Sequence, residues 1–240
     1  MREASLRTRR IVAVAVVGLI LLALVAWAVT YTPIFEAHHI KVVGAQTLRP
    51  EAIRELAGLD GSTNVVHLDT DAVAGRLLSN PWIASATIER DLPETLVVQV
   101  VERRPVATVP AMGEGSILAS DGSVLPATDA VPALPKMHAA LGVPDDAQRM
   151  AAAALLSALD PVVAGRVRDI TVGQDGLVTM RLRDGVTVDA GEVGQEEAKA
   201  AALRAILRWS ATDSRDLTSI DVSAPSAPGA TLADGSTVTP

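Results

Sequence analysis

Cysteine is absent from the 240 residues of this chain, and aromatic residues are few. The lack of cysteine excludes disulfide bonds, thiolate metal sites and cysteine nucleophiles. The aromatic side chains are those of Trp27, Tyr31, Phe35, Trp82 and Trp209. Any hydrophobic core must therefore be built chiefly from valine, leucine, isoleucine and alanine.

Basic charge is also scarce beyond the first ten residues. That segment contains Arg2, Arg7, Arg9 and Arg10 against one acidic residue, Glu3, and in the rest of the chain 17 basic residues face 27 acidic ones. A protein that binds nucleic acid needs a basic surface to displace counterions from the phosphates. The composition therefore predicts no nucleic-acid partner.

A long apolar run follows the basic segment. Residues 11–30 carry no charge, and a helix of about twenty residues is roughly 30 Å long, enough to span the hydrocarbon core of a bilayer. We expect the arginines to keep residues 1–10 in the cytoplasm while the rest crosses. The alternative is a secretory signal peptide cleaved at Ala26-Trp27-Ala28, although this apolar run is longer than the apolar region of most signal peptides.

The next segment, residues 31–104, predicts a small domain with the order strand, helix, helix, strand, strand. A short strand at His39–Val43 precedes two helices, the second of which begins near Thr70 with Asp69 or Thr70 as its N-cap. Apolar faces are expected at Ile53, Leu56 and Ala57 and at Val73, Leu77 and Leu78. The final hairpin alternates so that Trp82, Ala84, Ala86 and Ile88 share one face.

Three motifs carry a resemblance to a known family. They are "IKVVGAQTL", "PWIASATIERDLPETLVVQVVERRPVA" and "SIDVSAP". With the preceding apolar run, they resemble the FtsQ/DivIB family of bacterial cell-division proteins. The resemblance implies an α+β fold: one N-terminal transmembrane helix, a POTRA domain and a second mixed α/β domain rich in antiparallel strands. The abundance of arginine and alanine is typical of a GC-rich, actinobacterium-like genome.

The resemblance also implies a function. It predicts a membrane-anchored, non-enzymatic scaffold that links early and late division proteins at the septum. Its partners would be the small coiled-coil proteins of the FtsB/FtsL type and other divisome components. A secreted enzyme or binding protein, released by signal cleavage, is the alternative function.

Several residues of the first domain are predicted to have structural roles. Trp82 is expected to be buried in the POTRA core, with Arg90 and Pro93 at the hairpin turn. Glu102, followed by two arginines, is either part of a solvated charge cluster or a structural link at the joint between the domains. The sequence alone leaves these two interpretations open.

The second domain is predicted over residues 105–223. Asp-Gly turns at residues 121, 175 and 184 indicate hairpins, and helices are expected over residues 145–160 and 195–210. Residues 224–240 are rich in proline, glycine, serine and threonine, which predicts a disordered tail.

The residues give little indication of catalysis or cofactor binding. The four histidines lack metal-ligand spacing, and no phosphate-binding glycine loop or nucleophile motif occurs. Asp184, Asp189 and Glu192 lie close together in sequence, but carboxylates at strand ends are common. We therefore predict no catalytic residue, no metal and no cofactor.

The predicted partner surface is the strand over residues 217–223. As the last strand before the tail, it would present a free sheet edge for strand addition. Leu217, Ser219, Asp221 and Ser223 should face outward, with Thr218, Ile220 and Val222 in the core. Arg204 and Arg208 on the preceding helix share a face that suits an acidic partner, with Trp209 beside them. The alternative is that Trp209 is a core residue and both arginines are only solvated.

Overall fold

The chain divides into two units, Met1–Glu102 and Arg103–Pro240. A computed structural model describes residues 2–113, 115–128, 131 and 133–239, with only the backbone described for residues 2–11. Each unit has its own sheet and its own hydrophobic core.

The first unit begins with helix α1, Arg2–Val29. Its segment Val12–Val29 has a mean hydropathy of 2.9, and none of it is buried. Within the described residues, this is the one helix long and apolar enough to cross a membrane, which agrees with the predicted span. By length and composition, a signal sequence would look the same. The side chains of the four N-terminal arginines lie outside the described residues, so the membrane orientation stays a prediction.

The other elements of the first unit follow the predicted order. They are β1 (His39–Val43), α2 (Pro50–Ala57), α3 (Thr70–Leu78), β2 (Ile83–Asp91) and β3 (Thr95–Glu102), with a 3-10 turn at Pro33–Phe35. The central strand is β3, parallel to β1 and antiparallel to β2. Asp69 caps α3 by accepting hydrogen bonds from two backbone N–H groups. Gly58 ends α2 with a φ of 65°.

Two predictions of side-chain direction in this unit are wrong. Leu78, expected on the apolar face of its helix, is 48% exposed. In β2 the pairing register shifts between Ile83 and Ser85, so that Ile83 is buried and Ala84 is exposed. A β-bulge places two residues opposite one, which interrupts the simple alternation of side chains.

The second unit is a mixed α/β domain. Its elements are β4 (Pro105–Thr108), β5 (Ile117–Ala119), β6 (Val124–Leu125), β7 (Lys136–Ala139), α4 (Asp146–Ala158), α5 (Pro161–Arg166), β8 (Val167–Val172), β9 (Val178–Leu182), β10 (Thr187–Gly191), α6 (Glu196–Thr212), β11 (Leu217–Asp221), β12 (Gly229–Leu232) and β13 (Thr237–Val238), with a 3-10 turn at Pro110–Met112. Across the described residues the strands form a ten-stranded sheet in the order β13-β12-β11-β10-β9-β8-β7-β4-β5-β6. The pairs β4–β7, β7–β8 and β10–β11 are parallel.

The core of this unit is formed by the sheet with α4 and α6. Leu155 and Leu156 of α4 and Leu203 and Ile206 of α6 are buried in one cluster with the inward side chains of the strands. The predicted Asp-Gly hairpins are confirmed. A capping box between Asp145 and Gln148 begins α4, where its reciprocal hydrogen bonds satisfy backbone groups of the first turn.

The prediction that residues 224–240 are a disordered tail is wrong. The segment contains β12, which pairs antiparallel with β11, and β13, which pairs antiparallel with β12. Ala230 and Leu232 are buried. The alternation of these two apolar residues in β12 is the strand signal that the overall composition obscured.

Candidate functional site

The strand predicted to be a free edge, β11, lies inside the sheet. On one side it runs parallel to β10, with Ser219 opposite Thr187. On the other side β12 pairs with it, with Gly229 opposite Asp221. The prediction of an open β11 edge is therefore wrong, because a hairpin from later in the chain occupies it.

The side chains of β11 also differ from the predicted pattern. Ile220 and Val222 are buried as predicted, but Leu217 packs against the core and Thr218 is exposed. The register with β12 shifts between Leu217 and Ser219, a β-bulge that explains the inward position of Leu217. The predicted outward contact at Leu217 is therefore wrong.

Asp221 and Ser223 are exposed but already bonded to each other. Asp221 Oδ1 accepts hydrogen bonds from the Ser223 backbone N–H at 2.9 Å and from its hydroxyl at 2.6 Å. A Cβ atom on Gly191 would lie 2.7 Å from the Ser223 Cβ. The end of β10 therefore lies close against Ser223.

Arg204 and Arg208 share one face of α6, as predicted. Both line a groove of about 480 Å³ between α5 and α6. Arg204 Nη1 lies 3.6 Å from Asp160 Oδ2, whereas Arg208 is exposed and forms no ion pair with any described residue. Trp209, by contrast, is half-buried and packs against the core. The structure thus brings the two arginines together and turns Trp209 toward the interior.

The α5–α6 groove combines apolar and basic side chains with one carboxylate, that of Asp160. Val163 and Leu207 are buried beside it, while Val162 is 77% exposed. Arg166 also lines the groove and reaches Asp184 Oδ2 at 2.5 Å. An apolar strip with a basic rim has the chemistry to bind an acidic amphipathic segment.

In the first unit, Glu102 is a structural link. Its carboxylate accepts hydrogen bonds from the backbone N–H groups of Gln46, Thr47 and Leu48 at 3.0, 2.7 and 3.0 Å. Gly44 begins this loop with a φ of 91°, and a Cβ there would lie 2.0 Å from the Val100 carbonyl oxygen. Glu102 therefore fixes the loop between β1 and α2 to the end of β3.

The other predicted residues of this unit have separate local roles. Arg90 Nη2 donates to the Leu68 carbonyl at 2.6 Å, which connects β2 to the loop before α3. Pro93 follows a cis peptide bond in the β2–β3 turn. Trp82 is 3% exposed, but it lies outside the cluster of buried residues that forms the core of this unit.

Asp121 and Asp184, two of the three aspartates of the second unit with lowered pKa values, each lie beside an arginine. Burial alone would raise the pKa of Asp121, but the hydrogen bond and charge of Arg103, at 2.8 Å, and hydrogen bonds from Ser123 outweigh burial and lower it. At Asp184 burial also acts to raise the pKa, and Arg166 with the Val186 N–H lowers it overall. Both pairs connect separate elements of the domain.

Groups of side chains that could hold a metal ion are not found in the part of the chain that the structure describes. No three histidine, aspartate or glutamate residues there are placed to hold a metal ion. Of the carboxylates close in sequence, Asp184 binds Arg166 and Asp189 accepts from the Gly191 N–H at 2.9 Å. Their hydrogen bonds assign both to the structure of the domain.

Sequence reasoning missed the residues that form the actual sheet edge and one side of the groove. The outer strand at this end of the described sheet is β13, paired through Thr237 and Val238. The Asp234-Gly235 turn was the available signal for this hairpin. For α5, the Pro161 start and its Asp160 cap were the signal, since the Asp160 side chain accepts from two backbone N–H groups.

Comparison with known proteins agrees with this architecture. The model of the FtsQ-type POTRA domain matches residues 35–103, and the model of the C-terminal domain of cell division protein FtsQ/DivIB matches residues 107–223. The hairpin β12–β13 lies beyond the second matched range.

Curated relatives are similar over most of this chain. Cell division protein FtsQ of Mycobacterium tuberculosis H37Rv is 34% identical over 197 residues, 82% of this chain and 61% of the relative. FtsQ of Mycolicibacterium smegmatis is 31% identical, covering 82% and 58%, and that of Bradyrhizobium diazoefficiens is 29% identical, covering 80% and 55%. The chain thus spans about three fifths of the length of these relatives.

A solved structure of the major extracytoplasmic domain of DivIB from Geobacillus stearothermophilus is 23% identical. It covers 47% of this chain and 95% of its own, with a TM-score of 0.33, a likeness too weak to bear on the fold. The two family models, with the actinobacterial relatives, are decisive: the chain belongs to the FtsQ/DivIB family of cell division proteins.

Proposed function

We propose that this protein is a membrane-anchored, non-enzymatic scaffold of the divisome, linking early and late division proteins at the septum. The observation that carries the proposal is the match of two consecutive FtsQ-type domains, residues 35–103 and 107–223, directly after a helix that can span a bilayer. Its curated relatives are cell division proteins.

In this proposal the N-terminus stays in the cytoplasm and both domains lie outside it. The four N-terminal arginines support that orientation, because positive flanks resist translocation. The POTRA domain serves recruitment, and the second domain binds small coiled-coil partners of the FtsB/FtsL type, as the family resemblance implies.

The partner surface that we propose combines the α5–α6 groove with the outer sheet edge. The groove offers apolar contact from Val162 and the exposed positive charge of Arg208, which forms no ion pair with a described residue. An acidic amphipathic helix would bury its apolar face there and pair with that arginine. Because β12 covers β11, strand addition is assigned to the outer edge at β12 and β13, where short strands leave backbone groups available.

Co-purification tests this surface. The full-length tagged protein, extracted from membranes in mild detergent, is expected to retain the FtsB-type protein of the same bacterium. Arg208→Glu should reduce capture at least about tenfold, since it replaces an attraction by a repulsion at the groove. Arg181→Glu is the matched control, because Arg181 is an exposed arginine on the sheet strand β9, away from the groove. Equal capture by the two variants would remove the groove from the proposal.

A further inference from the structure

The end of α1 is held by the loop that precedes α3. Asn64 Nδ2 donates to the Thr30 carbonyl at 2.8 Å, and the Thr30 hydroxyl lies 2.8 Å from His67 Nε2. The His67 ring stacks on Tyr31, with centroids 4.0 Å apart and planes inclined by 19°. Tyr31 meets Trp27 edge to face at 4.9 Å. We name Thr30, Tyr31, Asn64 and His67 the collar.

The loop that carries Asn64 and His67 is itself well fixed. Its Val65 is fully buried, and the Val65 N–H donates to the Phe35 carbonyl at 2.7 Å. Asn64 Oδ1 accepts hydrogen bonds from the Val66 and His67 N–H groups at 3.0 and 3.1 Å, which sets the direction of both collar side chains. The collar is therefore attached to the core of the POTRA domain rather than to a free loop.

We propose that the collar fixes the orientation of the POTRA domain relative to the membrane. This inference rests on the membrane anchor of the proposed function and adds a property to it. The apolar segment ends at Val29, so the collar would lie at the headgroup layer, where tryptophan and tyrosine are favoured. A scaffold held in this way presents its first domain to partners in one direction.

The alternative is a flexible connection between helix and domain. Residues 35–37 pair with residues 63–65 independently of the collar. Without the collar, residues 30–34 would therefore be a linker of about five residues, whose ends would lie about 12 Å apart if it behaved as a coil. Independent motion is the usual expectation for units that share no large apolar interface. The collar contacts are the specific reason to expect a fixed arrangement here.

Distance measurement between spin labels tests the proposal. Because the chain contains no cysteine, Val25→Cys in α1 and Glu55→Cys in α2 provide the two labelling sites; both positions are exposed. The full-length protein is placed in nanodiscs of phosphatidylcholine and phosphatidylglycerol. We expect one narrow distance distribution by double electron–electron resonance. A distribution spread over about 12 Å, as for a coil linker of five residues, would overturn the proposal.

Variants identify the contacts responsible. Asn64→Asp retains the Oδ1 acceptor but loses the donor to Thr30, and His67→Ala removes the stacked ring; together they should broaden the distribution to the linker value. Thr30→Val is a milder variant, and Thr32→Val is its matched control, because the Thr32 hydroxyl donates to the Val29 carbonyl without meeting His67. An unbroadened distribution in both the double variant and Thr30→Val contradicts the role of the collar.

A second pair of labels separates loss of the collar from loss of folding. Glu55→Cys with Glu89→Cys lies entirely within the POTRA domain, on α2 and β2, and should stay narrow in every variant. If the distance distribution of this second pair broadens in the double variant, that variant has lost folding. The comparison of Thr30→Val with Thr32→Val then decides whether the collar fixes the orientation. Failure of the unmodified protein to remain in nanodiscs would instead reject the membrane anchor of the proposed function.

Discussion

Single side chains determine how the segments of this molecule are joined. Glu102 holds three backbone N–H groups of a loop far away in sequence, and Asp121 holds Arg103 in the second domain. Neither role follows from the residue type, because most surface carboxylates are simply solvated. Glu102 binds a loop of its own domain, a role that differs from both interpretations left open by the sequence, the solvated charge cluster and the link at the joint between the domains.

Removing the Glu102 carboxylate should destabilise the POTRA domain. Glu102→Ala leaves three N–H groups without their acceptor, and we expect the free energy of unfolding to fall by about 2 kcal/mol. Urea unfolding of the full-length protein in detergent measures it. Glu89→Ala, at an exposed position of β2, is the control and should change the value by less than about 0.5 kcal/mol. An effect of Glu102→Ala no larger than that of the control would show that the link contributes nothing.

Acid should weaken the contact between Asp121 and Arg103. The pKa of Asp121 in the folded protein lies below its ordinary value of 3.8, so its ionised form adds stability above about pH 4. That contribution is lost as the pH falls through the lowered pKa. The Asp121→Asn variant should therefore lose less free energy of unfolding than the unmodified protein between about pH 5 and pH 3. Urea unfolding at each pH measures this loss. Arg103→Gln should reduce this loss of stability in the same way. If both variants lose as much stability over this pH range as the unmodified protein does, the prediction is contradicted.

Secondary-structure elements with strong periodicity or caps were predictable from the sequence. The order of β1, α2, α3, β2 and β3 and the three Asp-Gly hairpins are all as expected. Strands β4 and β7 were not predicted, because each is four residues long and takes part in parallel pairings with strands distant in the chain. Such pairing leaves no local turn signal.

The candidate site was predicted only in part, for reasons that also lie in strand pairing. The shared face of Arg204 and Arg208 follows from helix geometry alone. The direction of Leu217 depends on a β-bulge, and the burial of β11 depends on a hairpin whose composition resembles that of a disordered tail. A one-residue change in register reverses which side chains face outward.

An engineered disulfide tests the β12–β13 hairpin. The Leu232 N–H donates to the Ser236 carbonyl, so the next pair, Thr231 and Thr237, is a non-hydrogen-bonded pair with Cα atoms about 4.5 Å apart. Thr231→Cys with Thr237→Cys should therefore oxidise readily, as measured by loss of thiol labelling. The control, Thr218→Cys with Thr237→Cys, lies two strands apart, roughly 10 Å, and should stay reduced. Free thiols in both would contradict the hairpin.

For the whole molecule, the features that bear most on function are the order of its segments along the chain and its acidic charge. An apolar helix, an FtsQ-type POTRA domain and an FtsQ/DivIB C-terminal domain follow one another, and beyond residue 10 acidic residues predominate. These properties favour a protein that acts by binding other proteins beside a membrane, which is the central claim of the proposed function.

The most direct test of that claim is the septal recruitment of late division proteins when this protein is depleted. In the source bacterium, tagged early and late division proteins are imaged during depletion, with the full-length chain supplied in trans as the control. A scaffold linking the two groups predicts that early proteins still assemble at mid-cell while late proteins fail to accumulate, and that the supplied chain restores them. Normal accumulation of late proteins in depleted cells would contradict the account.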